Sequence, residues 1–167
     1  APVPMFYAAD REQAVRYAAE SARTTHGAAE CLDACRLLAA MLCAAFDGAD
    51  KESILRGQAG SWLSEPAIAA LAEGAYFDKP AEAIRGSGYV VECLEAALWC
   101  FHHTDSFEGA VLAAANLGDD ADTTAAVCGQ LAGAHYGIAG IPGRWLQKLA
   151  ARSMIEQMAM ALDRGEG

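Results

Sequence analysis

Residues 116–137, NLGDDADTTAAVCGQLAGAHYG, combine an acidic turn with a long run of small apolar side chains. Three aspartates and two threonines lie within residues 119–124, and the small residues follow directly. Carboxylate and hydroxyl oxygens are the ligands that hard cations such as Mg²⁺ and Mn²⁺ prefer. Crowded like charges beside a buried segment are unfavourable unless a positive charge neutralises them. The stretch therefore predicts a metal site at the start of a buried helix.

The composition is typical of a folded, helical protein. Apolar residues make up 54% of the sequence and charged residues 20%, and alanine is the commonest residue while β-branched residues are sparse. This balance favours helices. The length of 167 residues suits one domain with its own core. We therefore expect a single all-α unit that spans residues 1–167.

The charge and the apolar runs exclude two classes of partner. A net charge of −10 argues against nucleic acid, because phosphate backbones are bound by clustered Lys and Arg. No run approaches the roughly 18 uninterrupted apolar residues of a membrane span. The six cysteines form no C-x-x-C pair, which favours small buried side chains over a zinc or redox site. We expect a soluble protein of the reducing cytoplasm.

Cap signals and apolar spacing predict the order of the helices. Asp10 with Gln13 begins one helix, which we expect to end near residues 24–27, with Gly27 as the stop signal. Ser64 and Ser106 are predicted N-caps of later helices. The other predicted helices cover about 28–46, 51–56, 89–101, 122–137 and 154–162.

Asp120, Asp122 and Thr123 form a D-x-D-T arrangement at a loop-to-helix turn. If the helix begins near Asp122, its free N–H groups and the positive end of its dipole face the same point. The alternative interpretation is that Asp122 is only an N-cap and that the other acids are solvated. Gly129 and Gly133 each cost about 1 kcal/mol of helix propensity. Such small residues let a neighbour approach closely, and this buried setting favours metal binding.

Two further positions are candidates for ligand binding. In the loop 86–89, Gly-Ser-Gly-Tyr, the glycines let the backbone approach a ligand and Tyr89 offers a stacking face. From the residues alone, an ordinary loop with a core tyrosine is the better explanation. His26 lies near a predicted helix end, where a histidine is commonly a partner of the helix dipole.

Residues 116–137, followed by IPGRW at 141–145, closely resemble the C-terminal signature of the ADP-ribosylglycohydrolase family. This family includes the glycohydrolases that reactivate dinitrogenase reductase. The resemblance continues upstream, in the family's order, over essentially the whole chain. Its other segments are GSGYVVECLEAALW at 86–99, DSFE at 105–108, SARTTHG at 21–27 and APVP at 1–4.

The resemblance implies the C-terminal part of an orthogonal multi-helix bundle and a two-metal centre of Mg²⁺ or Mn²⁺. Asp120, Asp122 and Thr123 would be metal ligands, and Asp119 would not. The substrate would be ADP-ribose on a modified protein or a small-molecule acceptor. The residues that would contact ADP-ribose are Gly86, Ser87, Gly88, Tyr89 and His26.

The family's N-terminal half carries two more acidic motifs, a Gly-Asp segment and a Thr-Asp-Asp-Thr run, and neither occurs in this sequence. We therefore expect a separate N-terminal segment to complete the metal centre and the fold. The alternative function is non-catalytic, either an ADP-ribose-binding module or a structural relative similar to the family's lens crystallin. A third, weaker interpretation is a metal-dependent phosphoesterase.

Overall fold

The computed structural model describes residues 1–165, which form α-helices and two short 3₁₀ segments and contain no β-strand. No helix in this range is both long and apolar enough to cross a membrane. The predicted all-α class is confirmed. The helices are α1 Pro2–Phe6, α2 Arg11–Ala22, α3 Ala29–Phe46, α4 Lys51–Leu55, α5 Pro66–Ala72, α6 Val90–His102, α7 Phe107–Asn116, α8 Ala121–Tyr136, α9 Gly143–Leu146 and α10 Arg152–Asp163, with 3₁₀ segments at Ala81–Ala83 and Ile138–Gly140.

Helix α3 lies at the centre and packs against α2, α4, α5, α6 and α8. Leu37 and Met41 of α3 and Leu98 and Phe101 of α6 are fully buried. Burying each of these side chains contributes about 1.5–3 kcal/mol to folding. The core thus fixes the relative positions of α3, α6 and α8, whose N-terminal ends carry the predicted site.

Two predicted helix starts are confirmed by their capping hydrogen bonds. The Asp10 carboxylate accepts a hydrogen bond from the Gln13 N–H at 3.1 Å, and α2 follows. The Ser106 hydroxyl accepts one from the Gly109 N–H at 3.0 Å, and α7 follows. These caps are local in sequence, and so they could be predicted from the residue types alone.

Helix α2 ends within a few residues of the predicted region 24–27, but the prediction of Gly27 as its stop signal is wrong. The helix ends at Ala22, and Gly27 does not take the left-handed conformation of a helix stop. The reason is local competition for the last carbonyl groups. The Thr24 hydroxyl donates to the Ser21 carbonyl at 2.8 Å, and the His26 N–H donates to the Ala22 carbonyl at 2.8 Å. The end of the helix is satisfied before Gly27 is reached.

The predicted N-cap role of Ser64 is also wrong, because Ser64 serves a carboxylate of another helix. The Asp33 side chain, which is 0% exposed, accepts hydrogen bonds from the Ser64 N–H at 2.6 Å and the Glu65 N–H at 2.9 Å. The Ser64 hydroxyl donates to it at 3.0 Å, and Arg36 pairs with it at 2.5 Å. Asp33 of α3 therefore holds the two residues that lead into α5.

Helix α7 packs along the small-residue face of α8. Ala110 and Ala114 of α7 are fully buried there. A Cβ added at Gly129 would lie 3.5 Å from the Val111 side chain, and one at Gly133 would also make ordinary contact. The small residues allow the close packing, while the two glycines are not sterically required for it.

Candidate functional site

The acidic turn joins α7 to α8 through two consecutive residues in the left-handed region. Gly118 has a φ of +76° and Asp119 a φ of +56°. Aspartate is one of the few residues with a side chain that adopts this conformation readily. Asp120 is the N-cap of α8, which begins at Ala121. The interpretation of Asp122 as the N-cap is therefore wrong, since Asp122 lies within the first turn.

The three predicted metal ligands lie together at the start of α8. The Thr123 hydroxyl donates a hydrogen bond to the Asp120 carboxylate at 2.9 Å. Asp120 is half-buried, whereas Asp122 and Thr123 are exposed. All three offer oxygen atoms beside the positive end of a 16-residue helix.

The loop 86–89 packs directly against this turn. The Asp120 N–H donates to the Gly86 carbonyl at 2.8 Å. A Cβ added at Gly86 would lie 3.0 Å from the Thr124 hydroxyl, and one at Gly88 would lie 3.6 Å from the Asp120 carboxylate. Glycine at 86 is therefore what allows the close approach. The structure joins two segments that are more than 30 residues apart in the sequence.

Tyr89 is held at both its backbone and its hydroxyl. Its N–H donates to the Ser87 hydroxyl at 3.2 Å, and Ser87 in turn donates to Glu92. The Tyr89 hydroxyl donates to the Glu30 carboxylate at 2.7 Å, which raises the pKa of the tyrosine above its ordinary value. The residue remains 48% exposed, so the alternative interpretation of Tyr89 as a core residue is wrong. A tethered, exposed ring is suited to stacking on a ligand.

A cavity of about 460 Å³ opens between the N-terminal ends of α3, α6 and α8. Five of the eight predicted site residues line it, and Gly86, Ser87 and Asp122 do not. The lining side chains are mostly apolar, and among the described residues no Lys or Arg contributes to it. The five predicted residues are His26, Gly88, Tyr89, Asp120 and Thr123.

His26 lies in the segment between α2 and α3 and is exposed at the cavity. Its Nδ1 lies 2.9 Å from the Thr25 hydroxyl. His102 and His103 are outside the cavity lining, where they stack on Phe77 and Trp99 with ring centroids 4.3 Å apart. His26 is therefore the histidine that the fold brings beside Tyr89 and Asp120.

Sequence reasoning missed Glu30 and three cysteines of the cavity lining. The cysteines are expected to be buried hydrophobes, yet Cys31 and Cys35 are half-buried at the cavity wall, and the buried Cys93 also lines it. Burial raises the pKa of Cys35 and of Cys93, as is usual for thiols in apolar surroundings. The position of Glu30 in the first turn of the helix after His26 was the one available signal.

The donor atoms at the acidic turn fit a hard divalent cation in type but are few in number. Asp120, Asp122 and Thr123 offer only oxygens, the ligands of Mg²⁺ and Mn²⁺. Each such ion takes about six ligands. Within residues 1–165, no group of three or more His, Cys, Asp and Glu side chains is spaced to hold a metal ion. The turn thus agrees with a hard cation in the type of its donor atoms alone.

The comparisons with known proteins identify the family. The ADP-ribosylglycohydrolase family profile matches residues 1–167, and the chain belongs to this family. It is 47% identical over 138 residues to ADP-ribosylarginine hydrolase Tri1 of Pseudomonas putida (strain GB-1), a match that covers 83% of this chain. It is 43% identical over 65 residues, 39% of this chain, to the ADP-ribosyl-[dinitrogen reductase] glycohydrolase of Rhodospirillum rubrum.

A solved structure confirms the fold of the family. A chain of an ADP-ribosylglycohydrolase-related protein complex superposes with a TM-score of 0.83 at 41% sequence identity, over 98% of the present chain. The matches span 60% of that solved chain, 37% of the Pseudomonas relative and 22% of the Rhodospirillum relative. The present chain therefore corresponds to part of the length of each relative.

Proposed function

We propose that this chain forms the substrate-binding face and part of the metal centre of a hydrolase that releases ADP-ribose from modified arginine. The observation that carries the proposal is the junction between the loop 86–89 and the acidic turn. The hydrogen bond from the Asp120 N–H to the Gly86 carbonyl joins the two predicted sites at one cavity. The name of the Pseudomonas relative, an ADP-ribosylarginine hydrolase, supports arginine as the acceptor.

In this proposal Asp120, Asp122 and Thr123 hold Mg²⁺ or Mn²⁺. A bound pair of such ions supplies an activated water and stabilises charge that develops in the transition state. The Asp120 carboxylate, half-buried and hydrogen-bonded by Thr123, is oriented before an ion binds. Water, the substrate or a separate N-terminal segment would supply the remaining ligands, because the described residues supply too few.

The loop 86–89 and His26 bind the ADP-ribose. The absence of a side chain at Gly88 lets the ligand approach the backbone of the loop at the cavity, while Gly86 lets the loop pack against the acidic turn. Tyr89 packs its exposed ring on the ribose or the base, and His26 offers a polar group from another part of the cavity wall. A cavity of about 460 Å³ is within the range for small-molecule sites.

The proposal is tested by two neighbouring substitutions in the intact protein with Mn²⁺ present. Asp122→Asn removes a proposed ligand charge, whereas Asp119→Asn changes an exposed acid outside the ligand set. Asparagine tolerates the left-handed conformation of position 119, so the fold is kept. We expect Asp122→Asn to lower the release of ADP-ribose from an ADP-ribosylarginine peptide by about 100-fold, while Asp119→Asn leaves it nearly unchanged.

Calorimetric titration with Mn²⁺ gives a readout apart from activity, and Asp122→Asn should weaken this binding. Equal activity of the two variants would show that Asp122 is not a ligand. Binding of ADP-ribose without any hydrolysis by the unmodified protein would support the non-catalytic alternative. Release of inorganic phosphate in place of ADP-ribose would support a phosphoesterase.

A further inference from the structure

We propose that Glu30 selects a cationic acceptor by pairing with the guanidinium of ADP-ribosylated arginine at the rim of the cavity. This inference rests on the proposed function, since it names the part of the site that recognises the acceptor. Glu30 lies in the first turn of α3, is half-buried and lines the same cavity as Tyr89 and Asp120. It thus faces the same cavity as the groups that are proposed to bind ADP-ribose and the metal.

The position of Glu30 is fixed by Tyr89. The tyrosine hydroxyl donates to one carboxylate oxygen, Oε1, at 2.7 Å. Because Ser87 accepts a hydrogen bond from the Tyr89 N–H, the ring that orients Glu30 is itself tethered. A carboxylate held in one orientation loses less conformational entropy when it binds a ligand. The pair therefore forms a preorganised acceptor of hydrogen bonds.

The charge of Glu30 has no basic partner among residues 1–165. By contrast, the half-buried Glu95 pairs with Lys79 at 2.6 Å, and the buried Asp33 pairs with Arg36. A half-buried carboxylate beside apolar side chains gains stability from a cation that reaches it. The partner that fits Glu30 is therefore a positive group brought by the substrate.

The chemistry of the substrate indicates which positive group pairs with Glu30. The two phosphates of ADP-ribose are negatively charged and are repelled by a second carboxylate, and its hydroxyls offer only uncharged hydrogen bonds, so a cationic acceptor gains more from Glu30 than ADP-ribose does. Asp120 lies in the acidic turn and is assigned to the metal, which leaves Glu30 for the acceptor. A guanidinium is planar and permanently charged, and it matches a carboxylate with two parallel hydrogen bonds.

The test compares Glu30→Gln with Glu52→Gln in the intact protein with Mn²⁺. Glutamine can still accept the Tyr89 hydrogen bond and loses only the charge. Glu52 is an exposed glutamate outside the cavity lining and serves as the matched control. Two quantities are measured for each variant: KM for an ADP-ribosylarginine peptide and Kd for free ADP-ribose.

We expect Glu30→Gln to raise KM for the peptide between about 10-fold and about 100-fold, the effect of one charged hydrogen-bonded contact. The Kd for ADP-ribose should change less than about twofold, and Glu52→Gln should alter neither quantity. Equal weakening of peptide and ADP-ribose would show that Glu30 only positions Tyr89, and an unchanged KM would show no role; either result overturns the inference.

A Tyr89→Phe variant separates the two residues, because it keeps the ring and removes the hydroxyl that fixes Glu30. We expect Tyr89→Phe to raise KM for the peptide less than Glu30→Gln does. If Tyr89→Phe raised the Kd for ADP-ribose by as large a factor as KM for the peptide, this would count against acceptor recognition. If the unmodified protein neither binds ADP-ribose nor releases it, the proposed function itself has failed, and this outcome differs from a failure of Glu30 alone.

Discussion

Replacement of Gly86 by alanine tests the junction between the loop and the acidic turn. The added Cβ would lie 3.0 Å from the Thr124 hydroxyl and 3.5 Å from the Gly118 carbonyl oxygen. Thr124 is fully buried, so it has little room to move. The loop must therefore shift by a few tenths of an ångström, and the hydrogen bond from the Asp120 N–H to Gly86 lengthens.

Overpacking of this kind costs typically 1–3 kcal/mol, and weakening of one hydrogen bond costs about 1 kcal/mol. We expect Gly86→Ala to lower the free energy of unfolding by about 2 kcal/mol, measured by urea denaturation. Because the shift separates the loop from Asp120, the affinity for ADP-ribose with Mn²⁺ should fall about tenfold by calorimetry.

Two further variants make the Gly86→Ala result specific. Gly88→Ala places its Cβ at an ordinary 3.6 Å from the Asp120 carboxylate, and it should cost less than about 0.5 kcal/mol of stability. Thr124→Ala removes the hydroxyl that the Cβ added at position 86 would meet, so the double variant should be more stable than the sum of the single effects predicts. The reasoning would be refuted if Gly86→Ala were as stable as the wild type. It would also be refuted if the effects of Gly86→Ala and Thr124→Ala on the free energy of unfolding were strictly additive.

Two predictions concern the scaffold. Asp33→Asn should lower the free energy of unfolding by about 3 kcal/mol at pH 7, because it breaks a buried ion pair. Burial alone would raise the pKa of Asp33, but hydrogen bonds from Glu65, Ser64 and Arg36 outweigh burial and lower it. The stabilisation is therefore present above the ordinary value of 3.8 and is lost as the pH falls through the lower folded pKa. Denaturation at several pH values should show that the difference in free energy of unfolding between wild type and variant becomes smaller in acid. A difference that stays constant with pH would contradict the lowered pKa of Asp33. Ser106→Ala should cost about 1 kcal/mol by the same assay, and no loss would show that the cap is not stabilising.

The helices could be predicted because most of their signals are local. The cap of α2 by Asp10 and that of α7 by Ser106 depend on residues three positions apart. The contact that holds the residues before α5 could not be predicted, since its carboxylate, Asp33, belongs to another helix. Ser64 has the sequence signature of an N-cap, and only the tertiary contact shows that it serves Asp33 instead.

The candidate site also contains residues that could be predicted from the sequence and residues that could not. The residue types of the acidic turn predicted oxygen ligands, and the family resemblance added the loop 86–89 and His26. Neither indicated Glu30, whose partner Tyr89 is 59 residues away. Nor did the spacing show that Asp120, rather than Asp122, lies at the N-cap position of α8, because either aspartate satisfies the preference for that position.

The most direct test of the central claim is a crystal structure of the intact protein with Mn²⁺ and ADP-ribose, measured with anomalous diffraction from manganese. We expect a manganese peak in direct contact with the carboxylates of Asp120 and Asp122, with ADP-ribose lying against Tyr89 and the loop 86–89. A manganese ion bound away from the acidic turn, or ADP-ribose bound outside this cavity, would contradict the claim.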